Sequence, residues 1–368
     1  MMKIMSVFGT RPEAIKMAPL LKCLTKDPVV TSIVVTTGQH REMLQQVLND
    51  FAITPDFDLA IMKKNQTLAE ITTAVLTKLT PLLIEQKPDC VLVHGDTTTT
   101  MAASLAAFYQ QIPIGHVEAG LRTWDKYSPF PEEANRQITD TIADFYFAPT
   151  ERARHNLLIS HCAPEKIFVT GNTVIDALHY TVKPDYHHDL LAKLPTEHRM
   201  ILLTMHRRES QGVVMEKAFQ AIRQTVDQNP DVEVVYPVHL NPNVQKAAHA
   251  ILQGHPRIHL IAPLDMVDFH NFMARCYFIM TDSGGVQEEA AALSKPVLVL
   301  RNETERISGV KTGSLKLVGV APKAIQNAMN ELLHDPIEYA NMCHAKNPYG
   351  NGSASEKIDH ILRRSLKK

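Results

Sequence analysis

The sequence predicts an α/β protein built from two doubly wound, Rossmann-like domains. Short apolar runs alternate with helical patterns along the chain, as is typical of parallel sheets with right-handed crossover helices. A polar stretch bearing histidine and proline, residues 183–199, interrupts this alternation, which then restarts. We therefore expect an N-terminal domain over residues 1–183 and a C-terminal domain over residues 184–368.

In the first half, six apolar runs bounded by glycine, proline or polar residues are predicted to be buried parallel strands. They cover residues 4–8, 33–36, 90–93, 114–117, 145–148 and 167–170. Helical patterns lie between them, at residues 13–24, 68–85, 98–109, 134–142 and 151–159. The first domain is thus predicted to be a sheet with helices on both faces.

In the second half, five further runs are predicted strands, with helices between them. They cover residues 200–204, 232–238, 258–261, 277–281 and 296–300. The last helical pattern, residues 355–366, is a candidate to cross back to the first domain, a connection that the pattern alone does not establish.

Composition excludes several classes of function. With 38 basic and 39 acidic residues the net charge is −1, so no overall basic field favours nucleic acid or a membrane surface. No apolar run is long enough to span a bilayer. The five cysteines are far apart and form no C-x-x-C pair, which predicts neither zinc nor a disulfide framework and favours a reducing cytoplasm. We expect no bound metal.

Carboxylates follow two neighbouring predicted strands. Asp96 lies just after the run that ends at Val93, and Glu118 directly follows the run that ends at Val117. Ligands of open parallel sheets bind beyond the carboxyl ends of the strands, so these acids predict acid–base chemistry there. A third acid, Glu132, stands at a predicted helix start.

Two further turns carry candidate binding residues. Arg11 and Lys16 lie near the start of the first helix, where cations and free N–H groups form an anion site, although surface cations fit the same pattern. The small-residue turn Ser283-Gly284-Gly285 opens another helix and allows a phosphate to approach, with Glu289 one turn later to accept ribose hydroxyls. A capped helix with a solvated glutamate is the alternative.

His206 follows the first strand of the second domain, where an imidazole can serve a phosphate or a proton transfer. A plain loop histidine is the alternative. Taken together, the acids of the first domain and the phosphate–ribose cradle of the second are expected to face one cleft. That combination predicts chemistry on a nucleotide-diphosphate sugar.

Nine motifs in order resemble the non-hydrolysing UDP-N-acetylglucosamine 2-epimerases of bacteria, from about Lys3 to Ile361. They are Gly9-Thr10-Arg11-Pro12-Glu13, Gln39-His40-Arg41, His94-Gly95-Asp96-Thr97, Val117-Glu118-Ala119-Gly120-Leu121-Arg122, Pro131-Glu132-Glu133-Ala134-Asn135-Arg136, Gly171-Asn172-Thr173, His206-Arg207-Arg208-Glu209, Thr281-Asp282-Ser283-Gly284-Gly285 and Asn347-Pro348-Tyr349-Gly350.

The resemblance implies the two-domain GT-B fold, a cytoplasmic homodimer and interconversion of UDP-GlcNAc with UDP-ManNAc for cell-surface polysaccharide such as capsule. It implies elimination of UDP to 2-acetamidoglucal and re-addition, without metal or nicotinamide cofactor. The matching catalytic residues are Asp96, Glu118, Glu132 and His206. The matching substrate-binding residues are Arg11, Lys16, Ser283, Gly284, Gly285, Glu289 and Arg306. Gln39, Arg207 and His239 match parts of a second, activating substrate site.

The sequence departs from the family pattern in four respects. Met205 and Ile307-Ser308 replace the usual glycine and Pro-Glu, Trp124 replaces a small residue, and Asn65 stands where some members have arginine of the activating site. Three alternatives stay open: a hydrolysing epimerase, a GT-B glycosyltransferase that needs only one base, and a nucleotide-sugar sensor that needs no acids.

Overall fold

The computed structural model describes residues 1–38, 41–63, 65–304 and 306–366. The chain divides into two compact units. Unit 1 comprises Met1–Tyr180 and Tyr349–Lys368, and unit 2 comprises Thr181–Pro348. Each unit is a parallel sheet combined with helices, so the predicted class of two doubly wound Rossmann-like domains is confirmed.

Unit 1 contains a seven-stranded sheet in the order β3-β2-β1-β4-β5-β6-β7. The strands are β1 Met2–Phe8, β2 Val30–Thr36, β3 Phe57–Asp58, β4 Cys90–His94, β5 Ile114–Val117, β6 Phe145–Ala148 and β7 Ile167–Val169. Every residue of β4 and β5 is buried, as expected for central strands covered on both faces.

The helices of unit 1 connect these strands and cover the sheet. They are α1 Arg11–Lys26, α2 Arg41–Asp50, α3 Leu68–Gln86, α4 Thr98–Tyr109, α5 Glu132–Ile142, α6 Glu151–Ile159 and α7 Thr173–Thr181, with α15 Ala354–Ser365 from the C-terminal end of the chain. Asp176 of α7 accepts hydrogen bonds from the first two backbone N–H groups of α15, at 3.2 and 2.7 Å. This cap joins the terminal helix to unit 1.

Unit 2 contains a six-stranded parallel sheet in the order β10-β9-β8-β11-β12-β13. Its strands are β8 Arg199–Thr204, β9 Val232–Pro237, β10 Ile258–Ile261, β11 Phe278–Thr281, β12 Val297–Val299 and β13 Leu315–Leu317. Its helices are α8 Val213–Gln228, α9 Pro242–Leu252, α10 Met266–Arg275, α11 Gly284–Ala292, α12 Ile307–Thr312, α13 Pro322–His334 and α14 Pro336–His344. Within the described ranges no helix combines the length and apolarity needed to cross a bilayer.

Two of the four edge strands, β3 and β13, were not predicted. They are two and three residues long, too short to show a hydrophobic period, and each pairs with one neighbour at the edge of its sheet. The segment read as a linker, residues 183–199, contains a 3₁₀ turn at Leu191–Lys193 and leads into β8.

Both strand orders reverse direction between two central strands, β1 and β4 in unit 1 and β8 and β11 in unit 2. In open parallel sheets, ligands bind beyond the carboxyl ends of the strands at such a switch point. The chain segments found there are Gly9–Arg11 and His94–Thr97 in unit 1, and Met205–Arg207 and Asp282–Gly285 in unit 2. These are the segments from which most of the candidate site residues come.

Candidate active site

A buried carboxylate, Glu13, holds together the two turns at the switch point of unit 1. Its Oε2 accepts the backbone N–H groups of Gly9 and Thr10 at 3.1 and 2.8 Å. Its Oε1 accepts the hydroxyls of Thr97 and Thr100 at 2.8 and 3.1 Å. Burial has the larger effect on the pKa of Glu13 and raises it overall, although these hydrogen bonds lower it. The start of α1 is thereby fixed to the start of α4.

Glu118 is held between a cation and an amide. The Lys16 ammonium donates to Glu118 Oε1, and Asn172 Nδ2 donates to the same oxygen at 3.0 Å. Arg11, half-buried, occupies the first position of α1. The predicted residues Lys16 and Glu118 therefore meet directly, and the ammonium expected beside a phosphate contacts a carboxylate. Charge-assisted contacts of this kind stabilise the ionised carboxylate.

The backbone and surroundings of Glu118 are unusual. Its φ is +67°, in the left-handed region that non-glycine residues seldom occupy, and its side chain is 9% exposed. His94 Nε2 lies 3.9 Å from Glu118 Oε2, and burial lowers the pKa of His94 to about 3, so this imidazole is neutral. Neither ring nitrogen of His94 has a hydrogen-bond partner within the described part of the chain. Strained residues of this kind concentrate at functional sites.

Asp96 is attached to the start of α5. Arg136 Nη2 lies 2.5 Å from Asp96 Oδ2, and Asn135 Nδ2 donates to the Asp96 carbonyl at 2.9 Å. The other terminal nitrogen of Arg136, Nη1, donates to Glu133 Oε2 at 3.1 Å. The carboxylate of Asp96 is 26% exposed, so it is paired and still accessible.

Two adjacent glutamates open α5, and they have different environments. Glu132 Oε2 is buried and has no hydrogen-bond partner among the described residues. Burial alone would raise the pKa of Glu133, but hydrogen bonds from the Thr123 backbone, Gln137 and Arg136 outweigh it and lower that pKa. The hydrogen bonds of Glu133 therefore stabilise the fold, whereas Glu132 Oε2 can still accept a hydrogen bond from another group.

In unit 2, the turn after β8 carries His206, and its backbone is hydrogen-bonded to the side chain of Asp282. The backbone N–H groups of His206 and Arg207 donate to Asp282 Oδ2, each at 2.8 Å. The imidazole is stacked on that of His239, with ring centroids 5.2 Å apart. Partial burial lowers the pKa of His206, the charge of Asp282 opposes this, and the charges of His239 and Arg207 reinforce it. A half-exposed histidine whose pKa is shifted by its neighbours is a candidate functional group.

The glycine turn that opens α11 lies under the guanidinium of Arg306. A Cβ added to Gly284 would lie 2.9 Å from Arg306 Nη1, so glycine allows this approach. Arg306 Nε donates to Glu288 Oε1 at 2.9 Å. Ser283 is the N-cap of α11, and its side chain makes no cap hydrogen bond. The predicted residues Ser283, Gly284 and Arg306 are thus adjacent at a helix N-terminus, which favours an anion.

Glu289 follows one turn later, as predicted, and faces a histidine. Its Oε2 lies 3.7 Å from His270 Nε2, and its side chain is 14% exposed. Of the three residues matched to an activating site, Arg207 and His239 both flank His206. Gln39 lies outside the described residues.

Sequence reasoning gave no role to several residues that shape these clusters. Asn172 and His94 contact Glu118, Arg136 holds Asp96, Asp282 holds the His206 turn, and Glu288 binds Arg306. His94 and Arg136 lie inside motifs already noted for their acids. Asn172 stands 54 residues from its partner, so no local spacing reveals the contact.

Comparison with known proteins identifies relatives over nearly the whole chain. Residues 22–363 match the family model for UDP-N-acetylglucosamine 2-epimerase. The chain is 59% identical to UDP-N-acetylglucosamine 2-epimerase of Bacillus subtilis (97% of this chain, 94% of the relative) and 53% identical to that of Yersinia pestis (98% of both). The crystal structure of UDP-GlcNAc 2-epimerase from Neisseria meningitidis bound to UDP-GlcNAc superposes with a TM-score of 0.88 at 47% identity, covering 99% of this chain and 100% of that one.

Proposed function

The chain belongs to the family of UDP-N-acetylglucosamine 2-epimerases, and we propose that it interconverts UDP-GlcNAc and UDP-ManNAc by eliminating and re-adding UDP. One observation carries the chemical part of the proposal. Glu118, held by Lys16 and Asn172, sits beside the turn of Asp96 at the switch point of unit 1. Inversion at an unactivated carbon needs acids and bases, and this cluster supplies them.

The order of bond changes follows from the chemistry of the sugar. The proton on sugar C2 has no adjacent carbonyl, so its direct removal is very slow. Departure of UDP breaks the C1–O bond, leaves the electron pair on the phosphate oxygen and builds positive charge at C1 that acidifies the C2 proton. A carboxylate takes that proton and gives 2-acetamidoglucal beside bound UDP. Protonation from the opposite face and re-formation of the C1–O bond complete the inversion.

We assign roles within this scheme from the contacts around each residue. Glu118 is the proposed proton acceptor in one direction, because its cationic neighbour keeps it ionised. Asp96 and Glu132 are the proposed acid–base groups for the other face. His206 and the start of α11, both in unit 2, are proposed to stabilise the departing diphosphate, where negative charge grows.

The relatives do not favour the alternatives. Named epimerases align with nearly the full chain, whereas a glycosyltransferase or a sensor has no need of three acids. The decisive assay incubates the purified protein with UDP-GlcNAc alone and follows products by NMR. UDP-ManNAc in equilibrium with UDP-GlcNAc is expected, whereas free ManNAc with UDP would reassign the chain to the hydrolysing type.

Assembly and location are part of the same proposal. We propose a homodimer in the cytoplasm, on the strength of the family resemblance and of five cysteines that are all free thiols. Light scattering on the purified protein is expected to give the mass of two 41.2 kDa chains.

Glu289→Ala is expected to weaken UDP binding while changing turnover much less. Its position one turn into α11 suits a hydrogen bond to ribose hydroxyls, which persists unchanged in the transition state. A charge-assisted hydrogen bond contributes about 1.5–3 kcal/mol, or about tenfold to a hundredfold in affinity. Calorimetry with UDP and saturation kinetics measure the two effects, with the exposed Glu216→Ala of α8 as control. Unchanged affinity with collapsed turnover would move Glu289 into the chemistry.

A further inference from the structure

Asp282, at the end of β11, is a fully buried carboxylate that braces the turn after β8. Its exposed fraction is 0%, and its Oδ2 accepts the backbone N–H groups of His206 and Arg207 at 2.8 Å. Arg207 Nε also donates to the Asp282 carbonyl at 3.0 Å. On the far side, the hydroxyl of buried Tyr236 donates to the Met205 carbonyl at 2.6 Å. The backbone that carries His206 is therefore fixed from both sides.

The second oxygen of Asp282 faces the imidazole itself. Asp282 Oδ1 is buried and lies 3.4 Å from His206 Nδ1. Within the described ranges no group donates a hydrogen bond to this oxygen. A buried carboxylate oxygen without a donor is costly, so a proton on His206 Nδ1 is favoured.

The remaining neighbours hold the ring without competing for that nitrogen. His239 stacks on His206 with an angle of 15° between the rings, and its own Nδ1 accepts the Asn241 backbone N–H at 3.1 Å. The charged groups nearby are Arg207 and Glu209, which pair with each other at 3.5 Å. Within the described part of the chain, Asp282 is the only carboxylate at ion-pair distance from His206 Nδ1.

We propose that Asp282 is a positioning residue that fixes the tautomer of His206, keeping the proton on Nδ1 and turning Nε2 toward the substrate. This inference rests on the proposed function, in which His206 acts at the diphosphate. In the neutral ring, Nε2 then presents a lone pair. In the protonated ring, Nε2 donates a hydrogen bond while Asp282 balances the charge.

Asp282→Asn tests the proposal because the amide is almost the same shape as the carboxylate. Its oxygen can still accept from both backbone N–H groups, but its NH₂ group then faces Nδ1 and forces the proton onto Nε2. We expect kcat to fall about 10- to 100-fold, toward the lower end of general acid–base effects, with KM little changed. In a His206→Asn background the same substitution should cause little further loss, since the two residues act as a unit.

The tautomer is also measurable without any turnover. Nitrogen-15 NMR of histidine-labelled protein, with His206 assigned by its absence in His206→Asn, should show the Nδ1–H form in the unsubstituted chain and the Nε2–H form in Asp282→Asn. Loss of the Asp282 charge should also move the titration of His206 to lower pH, because that charge holds the pKa of His206 up.

The Nε2–H form in the unsubstituted chain would overturn the inference, even if Asp282→Asn failed to fold. An equal loss of kcat with and without His206 would overturn it as well, by showing a structural role alone. Since the NMR result needs no catalysis, a failure of the epimerase proposal would be recognised separately, by the absence of UDP-ManNAc from the product assay.

Discussion

Glu118→Gln is expected to lower kcat for the epimerisation of UDP-GlcNAc by about two to four orders of magnitude, the usual loss of a general acid or base. Glutamine keeps the size of the side chain but cannot take the C2 proton. It also leaves the Lys16 ammonium without its negative partner, although Asn172 can still donate to the amide oxygen. Initial rates at saturating UDP-GlcNAc, with melting curves to confirm folding, measure the effect.

The matched control is Glu151→Gln on the surface of unit 1, whose side chain is 78% exposed and whose ion pair with Arg154 is long, at 3.8 Å. It should leave kcat and folding unchanged. Asp96→Asn and Glu132→Gln are expected to resemble Glu118→Gln in magnitude. Near-normal turnover in all three acid variants would refute the acid–base assignment and return the chain to a binding role.

Asp140→Asn is expected to destabilise unit 1 by about 3–5 kcal/mol, the cost of removing one partner from a buried ion pair. Asp140 is 2% exposed and bridges Arg122 Nη2 and His116 Nδ1, each at 2.6 Å. The other ring nitrogen of His116 lies 2.7 Å from the Gly95 carbonyl, so the imidazole connects Asp140 to the turn of Gly95. The substitution leaves the buried Arg122 guanidinium without its carboxylate, next to the turns of Asp96 and Glu118.

The single tryptophan gives a direct measurement of this loss. Trp124 lies in unit 1, with the Arg122 guanidinium 5.8 Å from its ring, so its fluorescence during urea unfolding reports on that unit. Glu151→Gln serves again as the surface control. A free energy of unfolding within about 1 kcal/mol of the unsubstituted value, the range of surface pairs, would contradict the central role given to Asp140.

The same network sets a pH dependence of stability. Burial alone would raise the pKa of Asp140, but the charges and hydrogen bonds of His116 and Arg122 outweigh it and lower that pKa. A carboxyl whose pKa is lower in the folded than in the unfolded state stabilises the fold above its unfolded pKa. That stabilisation is lost as the pH falls through the folded pKa. Asp140→Asn should therefore flatten the acid limb of the stability curve.

Much of this fold could be predicted because each buried parallel strand is visible as a short apolar run in the local sequence. The runs at β4 and β5 are mostly apolar, and each ends near a carboxylate, so the sequence already predicts that Asp96 and Glu118 lie at one edge of the sheet. The small-residue turn that opens α11 is likewise visible in the sequence, where it predicts room for a phosphate; in the structure the Arg306 guanidinium lies against Gly284. In both cases the information lies within a few residues along the chain.

What could not be predicted depends on contacts between distant segments. Asn172 reaches Glu118 across the sheet edge, and Asp282 meets His206 because β8 and β11 pair although 76 residues separate the two side chains. Glu13 has the spacing of an ordinary capping-box acid, yet it is buried because Thr97 and Thr100 from another turn close over it. Such roles follow from the strand order, which the sequence pattern leaves open.

The most direct test of elimination and re-addition at sugar C2 is the fate of the C2 hydrogen in deuterated water. The protein should be incubated with UDP-GlcNAc in a buffer containing a chelator and no nicotinamide, and the sugar C2 position read by proton NMR and mass spectrometry. Because the proton removed by a carboxylate exchanges with solvent and a different group protonates the other face, the UDP-ManNAc formed is expected to carry deuterium at C2. Formation of UDP-ManNAc that retains the original hydrogen at C2 would contradict the mechanism.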